Sequence, residues 1–254
     1  MKQIIKFFVL FLILSVVTSE ILAQEMEPEA AKLYNQGNEQ MKEGNFNGAI
    51  DSYDKALQKA QDHRIYYQKA IAQKKSNKVQ ESVPTLQKAI ELNPKFEIAY
   101  NALGGSFFSL NNMEEAIKSF EKVIEISTNK KLKDQVKEYI ARSYAKLGNN
   151  ALADGSPEKA VQFFNKAIEN HNLDAAYLAL AKAHTEAGNW DNAISAGENA
   201  LKYRSSISKG GAYYYIGLAY KGKGDMNKAK ENFNLAKADP TYRATAEYEL
   251  KLIK

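Results

Sequence analysis

The sequence contains no cysteine, only five prolines and only three histidines. Without cysteine there can be no disulfide framework, no cysteine-ligated zinc or iron–sulfur site and no thiol nucleophile. His63, His171 and His184 are far apart along the chain and have no second metal ligand at helical spacing. No serine, histidine and acidic residue can be grouped as a hydrolase site would require. We therefore expect no cofactor, no metal and no enzymatic activity.

Long hydrophobic runs are also missing, except for one near the start. Residues 7–17 are apolar apart from Ser15 and follow the basic residues Lys2 and Lys6. This run is too short for a helix that spans a bilayer, which needs about 20 apolar residues, and it fits the core of a secretory signal peptide. The sequence therefore predicts a signal peptide over residues 1–23, cleaved after Ala23. A retained N-terminal anchor is the alternative, because Ile21 stands where a small residue usually precedes the cleavage point.

The charge of the chain is weakly positive, with 35 basic and 30 acidic residues and a net charge of +5. Loss of the predicted signal peptide would leave +4, which is too small for a typical nucleic-acid-binding protein. The hydrophobic share of 44% is typical of a globular chain. The weak charge leads us to expect no nucleic-acid partner. The short predicted signal peptide and the absence of cysteine lead us to expect an exported, periplasmic or envelope-associated bacterial protein.

A short turn phrase recurs six times at a spacing of about 34 residues. Each phrase begins with glycine or asparagine, the residues that commonly end a helix in a left-handed conformation. The six phrases begin at Gly44, Asn77, Asn111, Gly155, Gly188 and Gly224. The corresponding units are 30–62, 63–96, 97–130, 141–173, 174–209 and 210–241, with an insertion at 131–140.

The unit register is supported by small residues at positions 8, 20 and 27. Glycine, alanine or serine occupies seventeen of these eighteen places, and Val123 is the exception. Large apolar residues recur at positions 4 and 24, which gives each unit two amphipathic helices that pack closely. Gly197 departs from this pattern at position 24. The fifth unit should therefore pack loosely, unless Tyr203 or Tyr213 covers the space.

The third unit carries the clearest family pattern, in Tyr100-Asn101-Ala102-Leu103-Gly104 with Phe107, Ala116 and Phe120, after the closing pair Asn93-Pro94. Over residues 30–241 the chain resembles the tetratricopeptide repeat family. The resemblance implies an all-α fold: a right-handed α-solenoid of paired antiparallel helices, with a concave groove lined mainly by the first helix of each unit. Residues 242–254 should form a C-terminal capping helix, and the insertion should lengthen the first helix of the fourth unit. Residues 24–29 are expected to be a flexible leader, and residues 205–211 a hinge.

The positions that face the groove in this family hold one acidic residue, Glu186, and eight basic residues: Lys42, Arg64, Lys74, Lys75, Arg142, Lys146, Lys182 and Lys221. Aromatic residues share these positions and offer flat apolar area and cation–π contacts. The predicted partner-binding groove comprises Tyr34, Asn38, Arg64, Tyr67, Lys74, Lys75, Phe108, Arg142, Lys146, Lys182, Tyr214 and Lys221. The chaperone-tail clamp of the family is not supported: Asn38 matches one of its positions, but Tyr34, Gln68, Ile98 and Ala102 stand at the others.

These features predict a non-catalytic protein–protein interaction scaffold of the cell envelope that binds a peptide or protein with acidic residues in a basic, tyrosine-rich groove. An accessory subunit of an envelope enzyme complex and a glycan- or polymer-binding module are alternatives. Salt would distinguish charge-driven peptide binding, which weakens as ionic strength rises, from stacking on sugars. Self-assembly through the residues Tyr213, Tyr214 and Tyr215 is a third possibility.

Overall fold

The computed structural model describes residues 26–253, so the predicted signal peptide lies outside the described residues. Thirteen α-helices and no strands occur in this part of the chain. Their bounds are α1 Pro28–Lys42, α2 Phe46–Lys59, α3 His63–Lys75, α4 Val79–Leu92, α5 Glu97–Ser109, α6 Met113–Ile126, α7 Lys130–Ala153, α8 Pro157–Asn170, α9 Asp174–Glu186, α10 Trp190–Lys202, α11 Lys209–Gly222, α12 Met226–Ala236 and α13 Arg243–Leu252.

The helices form two compact units, and the boundary along the chain lies between Pro94 and Lys95. The first unit contains α1 to α4, and the second contains α5 to α13. Within each unit consecutive helices pack side by side, and a short turn reverses the chain inside every repeat. The predicted fold class, an all-α solenoid built from paired antiparallel helices, is confirmed.

The six predicted turns all have the same backbone geometry. Glycine or asparagine at the first turn position has a positive φ, between 59° and 82°. The backbone N–H of the next residue donates to the carbonyl five residues earlier, as in the 2.8 Å bond from Asn45 to Gln40. This is the Schellman arrangement that ends a helix. The second helix of each repeat begins one residue later, at the place where the sequence predicted it.

A glycine on the first helix faces an aromatic ring on the second helix in four of the six repeats. The pairs are Gly37 with Tyr53, Gly104 with Phe120, Gly148 with Phe164 and Gly217 with Phe233. A β-carbon added at any of these glycines would lie within 2.9 Å of ring atoms, and all four rings are buried. The absence of a side chain therefore allows the two helices to approach closely around the ring.

Replacement of Gly104 by alanine should lower the free energy of unfolding. The new β-carbon would lie 2.6 Å from Cε1 of Phe120, and such overpacking costs about 1 to 3 kcal/mol. This exceeds the gain of roughly 1 kcal/mol from the better helix propensity of alanine. Urea denaturation would measure the loss. The double change Gly104→Ala, Phe120→Leu should recover part of it, because the second repeat carries that combination as Ala70 and Leu86. Failure of this rescue would contradict the packing argument.

The fifth repeat is not loosely packed, contrary to the prediction from Gly197. A β-carbon at Gly197 would lie 2.5 Å from Cγ1 of Ile216 on α11, so the next repeat fills the space. Tyr203 instead stacks on Tyr177, with ring centroids 5.4 Å apart. The prediction failed because it considered only tyrosines as filler and overlooked the isoleucine on α11.

The insertion and the segment after the last repeat are both helical, as the sequence predicted. The insertion continues α7 to 24 residues, where other first helices have 13 to 15. Helix α13 packs through Tyr242, Ala246 and Ile253 on the core around Phe233.

The expected flexible leader is wrong for residues 26–29. Met26 packs on the first core, and Glu27 caps α1 by accepting hydrogen bonds from the backbone N–H groups of Glu29 and Ala30. Pro28 is the first helical residue, a position at which proline is favoured because its missing N–H would be unsatisfied there in any case. Gln24 and Glu25 lie outside the described residues.

Within residues 26–253, no helix is both long enough and apolar enough to cross a bilayer. The same part of the chain contains no group of three histidine, aspartate or glutamate side chains placed to hold a metal ion.

Candidate functional site

The second unit contains an open cavity of about 690 Å³, a volume typical of ligand sites. Its walls come mainly from three successive first helices, α5, α7 and α9, and we call it the first-helix cavity. It is lined by Phe108, Ser109, Asn111, Met113, Arg142, Ala145, Lys146, Asn149, Leu173, Asp174, Ala175, Ala176 and Ser206. Three predicted groove residues, Phe108, Arg142 and Lys146, are therefore brought together there.

Asp174, which is 3% exposed, holds one wall of the first-helix cavity in place by accepting hydrogen bonds. Its Oδ2 accepts backbone hydrogen bonds from Ser205 at 2.7 Å and Ile207 at 3.0 Å, and also from Ser206. Its Oδ1 accepts from the Ser206 hydroxyl at 2.8 Å and from the Ala175 N–H at 2.8 Å. The loop predicted to be a hinge is therefore tied to the start of α9.

These hydrogen bonds also control the ionisation of Asp174. Burial raises the pKa of the carboxyl, but the bonds from Ser206, Ile207 and Ser205 outweigh burial and hold the pKa well below its usual range. The carboxylate is consequently ionised at neutral pH, with its oxygen atoms committed to the loop. The negative charge of Asp174 in the cavity wall is therefore already compensated by hydrogen-bond donors of the chain when a ligand binds.

Most of the predicted basic groove residues already have a partner. In the second unit Arg142 pairs with Glu138 at 2.6 Å, Lys182 with Glu186 at 3.8 Å and Lys221 with Glu249 at 2.6 Å. In the first unit Lys42 pairs with Glu39 and Arg64 with Asp62, while Lys75 lies over the ring of Phe46. Lys146 differs: its ammonium forms no ion pair, hydrogen bond or ring contact with any described residue.

These ion pairs reduce the excess of positive charge that the sequence predicted for the groove. The sequence count compared only the groove positions and left out acidic residues next to them. Glu138 reaches Arg142 from one turn earlier on α7, and Glu249 reaches Lys221 from the capping helix. The exposed Arg142–Glu138 pair contributes little stability, but both pairs occupy donors that a partner would otherwise bind.

The first unit contains both aromatic and polar residues of the predicted groove. The rings of Tyr34 and Tyr53 lie 5.9 Å apart, and the Tyr53 hydroxyl donates to Oδ1 of Asn38 at 2.7 Å. Burial raises the pKa of the half-buried Tyr67 and lowers that of Lys74. Arg64 donates to Asp62, the residue that caps α3, so its guanidinium stabilises the helix start.

Tyr214 is placed differently from the prediction. Its ring packs on Phe233 and Tyr242 at centroid distances of 5.9 and 5.6 Å, beneath the capping helix. The ring centroid of Tyr215 lies 5.4 Å from that of Tyr214. Tyr213, Tyr214 and Tyr215 are all half-buried. The three tyrosines are not an exposed edge, so the sequence argument for self-assembly through them is wrong. Burial is the physical reason, because α13 covers this side of α11.

Sequence reasoning missed several lining residues. Met113, Leu173 and Ala176 supply apolar area, Asn149 supplies an exposed amide, and Asp174 fixes the wall. The partners of Asp174 lie 31 to 33 residues away, so no local pattern could reveal them. The Arg142–Glu138 pair has the i, i+4 spacing of helical ion pairs and could have been recognised.

The chain was also compared with known proteins. Family models described as tetratricopeptide repeat match residues 96–172 and, separately, residues 63–96 and 210–238. Together these matches cover more than half of the chain. They include the third repeat, where the sequence resemblance is clearest.

Relatives with assigned names match shorter stretches. A small glutamine-rich tetratricopeptide repeat-containing protein 2 from Mycosarcoma maydis is 28% identical over 130 residues, which is 49% of this chain and 37% of the relative. Heat shock protein STI1 from Saccharomyces cerevisiae is 32% identical over 117 residues, which is 42% of this chain and 18% of the relative. The match thus spans less than half the length of either curated relative.

Among solved structures, the chain is similar to YrrB, described as a TPR protein with an unusual peptide-binding site. The TM-score is 0.52 at 19% identity, and the match covers 80% of this chain and 99% of YrrB. At this identity the likeness concerns the fold alone. The repeated turns, the glycine–ring pairs and the family matches agree, and the chain belongs to the tetratricopeptide repeat family.

Proposed function

We propose that this protein is an exported, non-catalytic adaptor of the cell envelope that holds a partner peptide against the exposed faces of its first helices. The observation that carries the proposal is the first-helix cavity, where Phe108, Arg142 and Lys146 combine apolar area with positive charge. Peptide-binding surfaces commonly combine apolar contacts with charge-assisted hydrogen bonds. The tetratricopeptide relatives support the broader role of a protein–protein interaction scaffold.

Export is supported by the N-terminal sequence, with its basic start, short apolar core and Ala23-Gln24 junction. The absence of cysteine is compatible with an envelope location, although it does not require one. An adaptor role requires no catalytic group.

Site-specific photo-crosslinking in the native host would test this proposal. A photoreactive phenylalanine analogue placed at Asn149, which is exposed and lines the first-helix cavity, should form an adduct with a partner in the envelope fraction. The same analogue at Gln162, which is exposed on the second helix α8, is the matched control and should form little or none. Adducts from Gln162 alone would move the interface to the second helices. Adducts found only in the cytosol would contradict the envelope location.

Replacing Arg64, Lys74 and Lys75 together by glutamate would be a poor test of this proposal, although all three residues belong to the predicted groove. A glutamate at position 64 would place a second carboxylate beside Asp62, the cap of α3. Lys74 is half-buried, so its replacement would also disturb packing. Loss of binding could then report damage to the first unit rather than loss of a contact.

A further inference from the structure

Lys146 is the one residue among the eight basic groove residues for which the described part of the chain provides no ion pair, hydrogen bond or ring contact. Six others have an ion pair or a ring contact, and Lys74 is half-buried with interactions of its own. The ammonium of Lys146 is exposed at the first-helix cavity. Each of its three N–H groups can donate a hydrogen bond.

Arg142 lies one turn before Lys146 on the same face of α7. Only one contact of its guanidinium is formed with a described residue, the 2.6 Å bond to Glu138. A guanidinium carries five N–H donors, so Arg142 retains donors for a ligand while its charge is balanced. Lys146 therefore supplies the net charge, and Arg142 supplies further hydrogen bonds.

Besides the neutral polar side chains of Ser109, Asn111, Asn149 and Ser206, the rest of the cavity offers apolar area. Phe108, Met113 and Leu173 form this part of the lining, together with small alanine side chains. Asp174 is the one carboxylate in the lining, and its oxygen atoms accept six hydrogen bonds from the chain itself. The cavity thus combines one unpaired cation with an apolar surface large enough for a bulky side chain.

We infer that the first-helix cavity binds an internal segment of a partner peptide in which one acidic side chain, paired with Lys146, adjoins a bulky apolar residue seated against Phe108, Met113 and Leu173. This inference rests on the proposed function. A single unpaired ammonium matches a single carboxylate, whereas an acidic residue at a C-terminus brings two. The chemistry therefore disfavours a partner chain that ends in an acidic residue.

Selection from a random nonapeptide library displayed on phage, with the full chain as bait, would test this inference. The displayed peptides have no free C-terminus. We expect enrichment of peptides that contain aspartate or glutamate next to leucine, methionine, phenylalanine or tyrosine. Lys146→Glu should weaken the enriched peptides roughly tenfold or more in fluorescence anisotropy, because it replaces attraction by repulsion. Serine in place of the apolar peptide residue should weaken them similarly.

Lys137→Glu is the matched control, because Lys137 is an exposed lysine on α7 outside the cavity lining. It makes the same change in net charge and should leave affinity nearly unchanged. Enriched peptides without an acidic residue, or peptides that tolerate Lys146→Glu, would overturn the inference. If such peptides instead lose binding in Lys75→Glu, the proposed peptide-binding function survives without this cavity. No enrichment in repeated selections would refute both.

Discussion

Replacement of Phe164 by alanine should cost about 3 to 5 kcal/mol of unfolding free energy, the range observed when a buried aromatic side chain is deleted. The ring is fully buried and lies against Gly148, so no side chain on that helix can move in to fill the space. The core cluster that contains it also includes Leu180 and Ala196 of the neighbouring repeat. The cavity would therefore weaken two repeats at once. Urea denaturation followed by circular dichroism gives the loss.

Tyr248→Ala provides the control for this measurement. Tyr248 is 61% exposed on α13, and exposed positions usually change stability by no more than about 0.5 kcal/mol. A loss below about 1 kcal/mol for Phe164→Ala would show that the glycine–ring contacts do not hold the repeats together as described.

Asp174→Asn should lower the unfolding free energy by about 2 kcal/mol, since hydrogen bonds to a buried charged group contribute roughly 1.5 to 3 kcal/mol. An amide has one acceptor oxygen and one donor nitrogen, but both oxygen positions of Asp174 accept from the chain. One side must therefore place donor against donor. Because Ser206 also lines the first-helix cavity, this variant should weaken peptide binding too.

The same carboxylate predicts a pH dependence. Its pKa in the folded protein is below the unfolded value of about 3.9. The stabilisation is therefore complete above the unfolded pKa and is lost as pH falls through lower values. Thermal unfolding between pH 7 and pH 3 should show a smaller decrease for Asp174→Asn than for the unaltered chain. Asp191→Asn, which removes an exposed carboxylate paired with Lys223, is the control and should follow the unaltered chain. Parallel curves for all three proteins would contradict the role of Asp174.

Local rules explain how much of the fold could be predicted. A left-handed residue is needed once in each repeat, and only glycine and asparagine adopt that conformation readily. The turns at Gly44, Asn77 and the four equivalent residues could therefore be recognised without a structure. The aromatic ring and its facing glycine sit at fixed positions of the repeat. The start of each second helix follows from the same register.

The candidate site was less predictable because its decisive contacts join distant residues. Ile216 fills the space at Gly197 from the next repeat, and Asp174 reaches a loop more than thirty residues away. The sequence assigned Arg142, Lys146 and Phe108 to one groove, and the structure brings these three to one cavity, yet the sequence could not show that acidic neighbours pair with most of the other cations. Residue type fixes a charge, but only geometry decides whether another side chain can reach it.

The length of α7 has a consequence for the order of folding. Isolated helices shorter than about 12 to 15 residues are marginal in water, and the other first helices fall in or near that range. Helix α7 has 24 residues, and it shares a core with α6 through Val136 and Ile140 and with α8 through Ala151. We therefore expect α7 to become helical early in folding and then to stabilise the two helices that pack against it, α6 and α8. In an array where repeats stabilise their neighbours, this makes the middle of the second unit the natural nucleus from which folding spreads towards the ends.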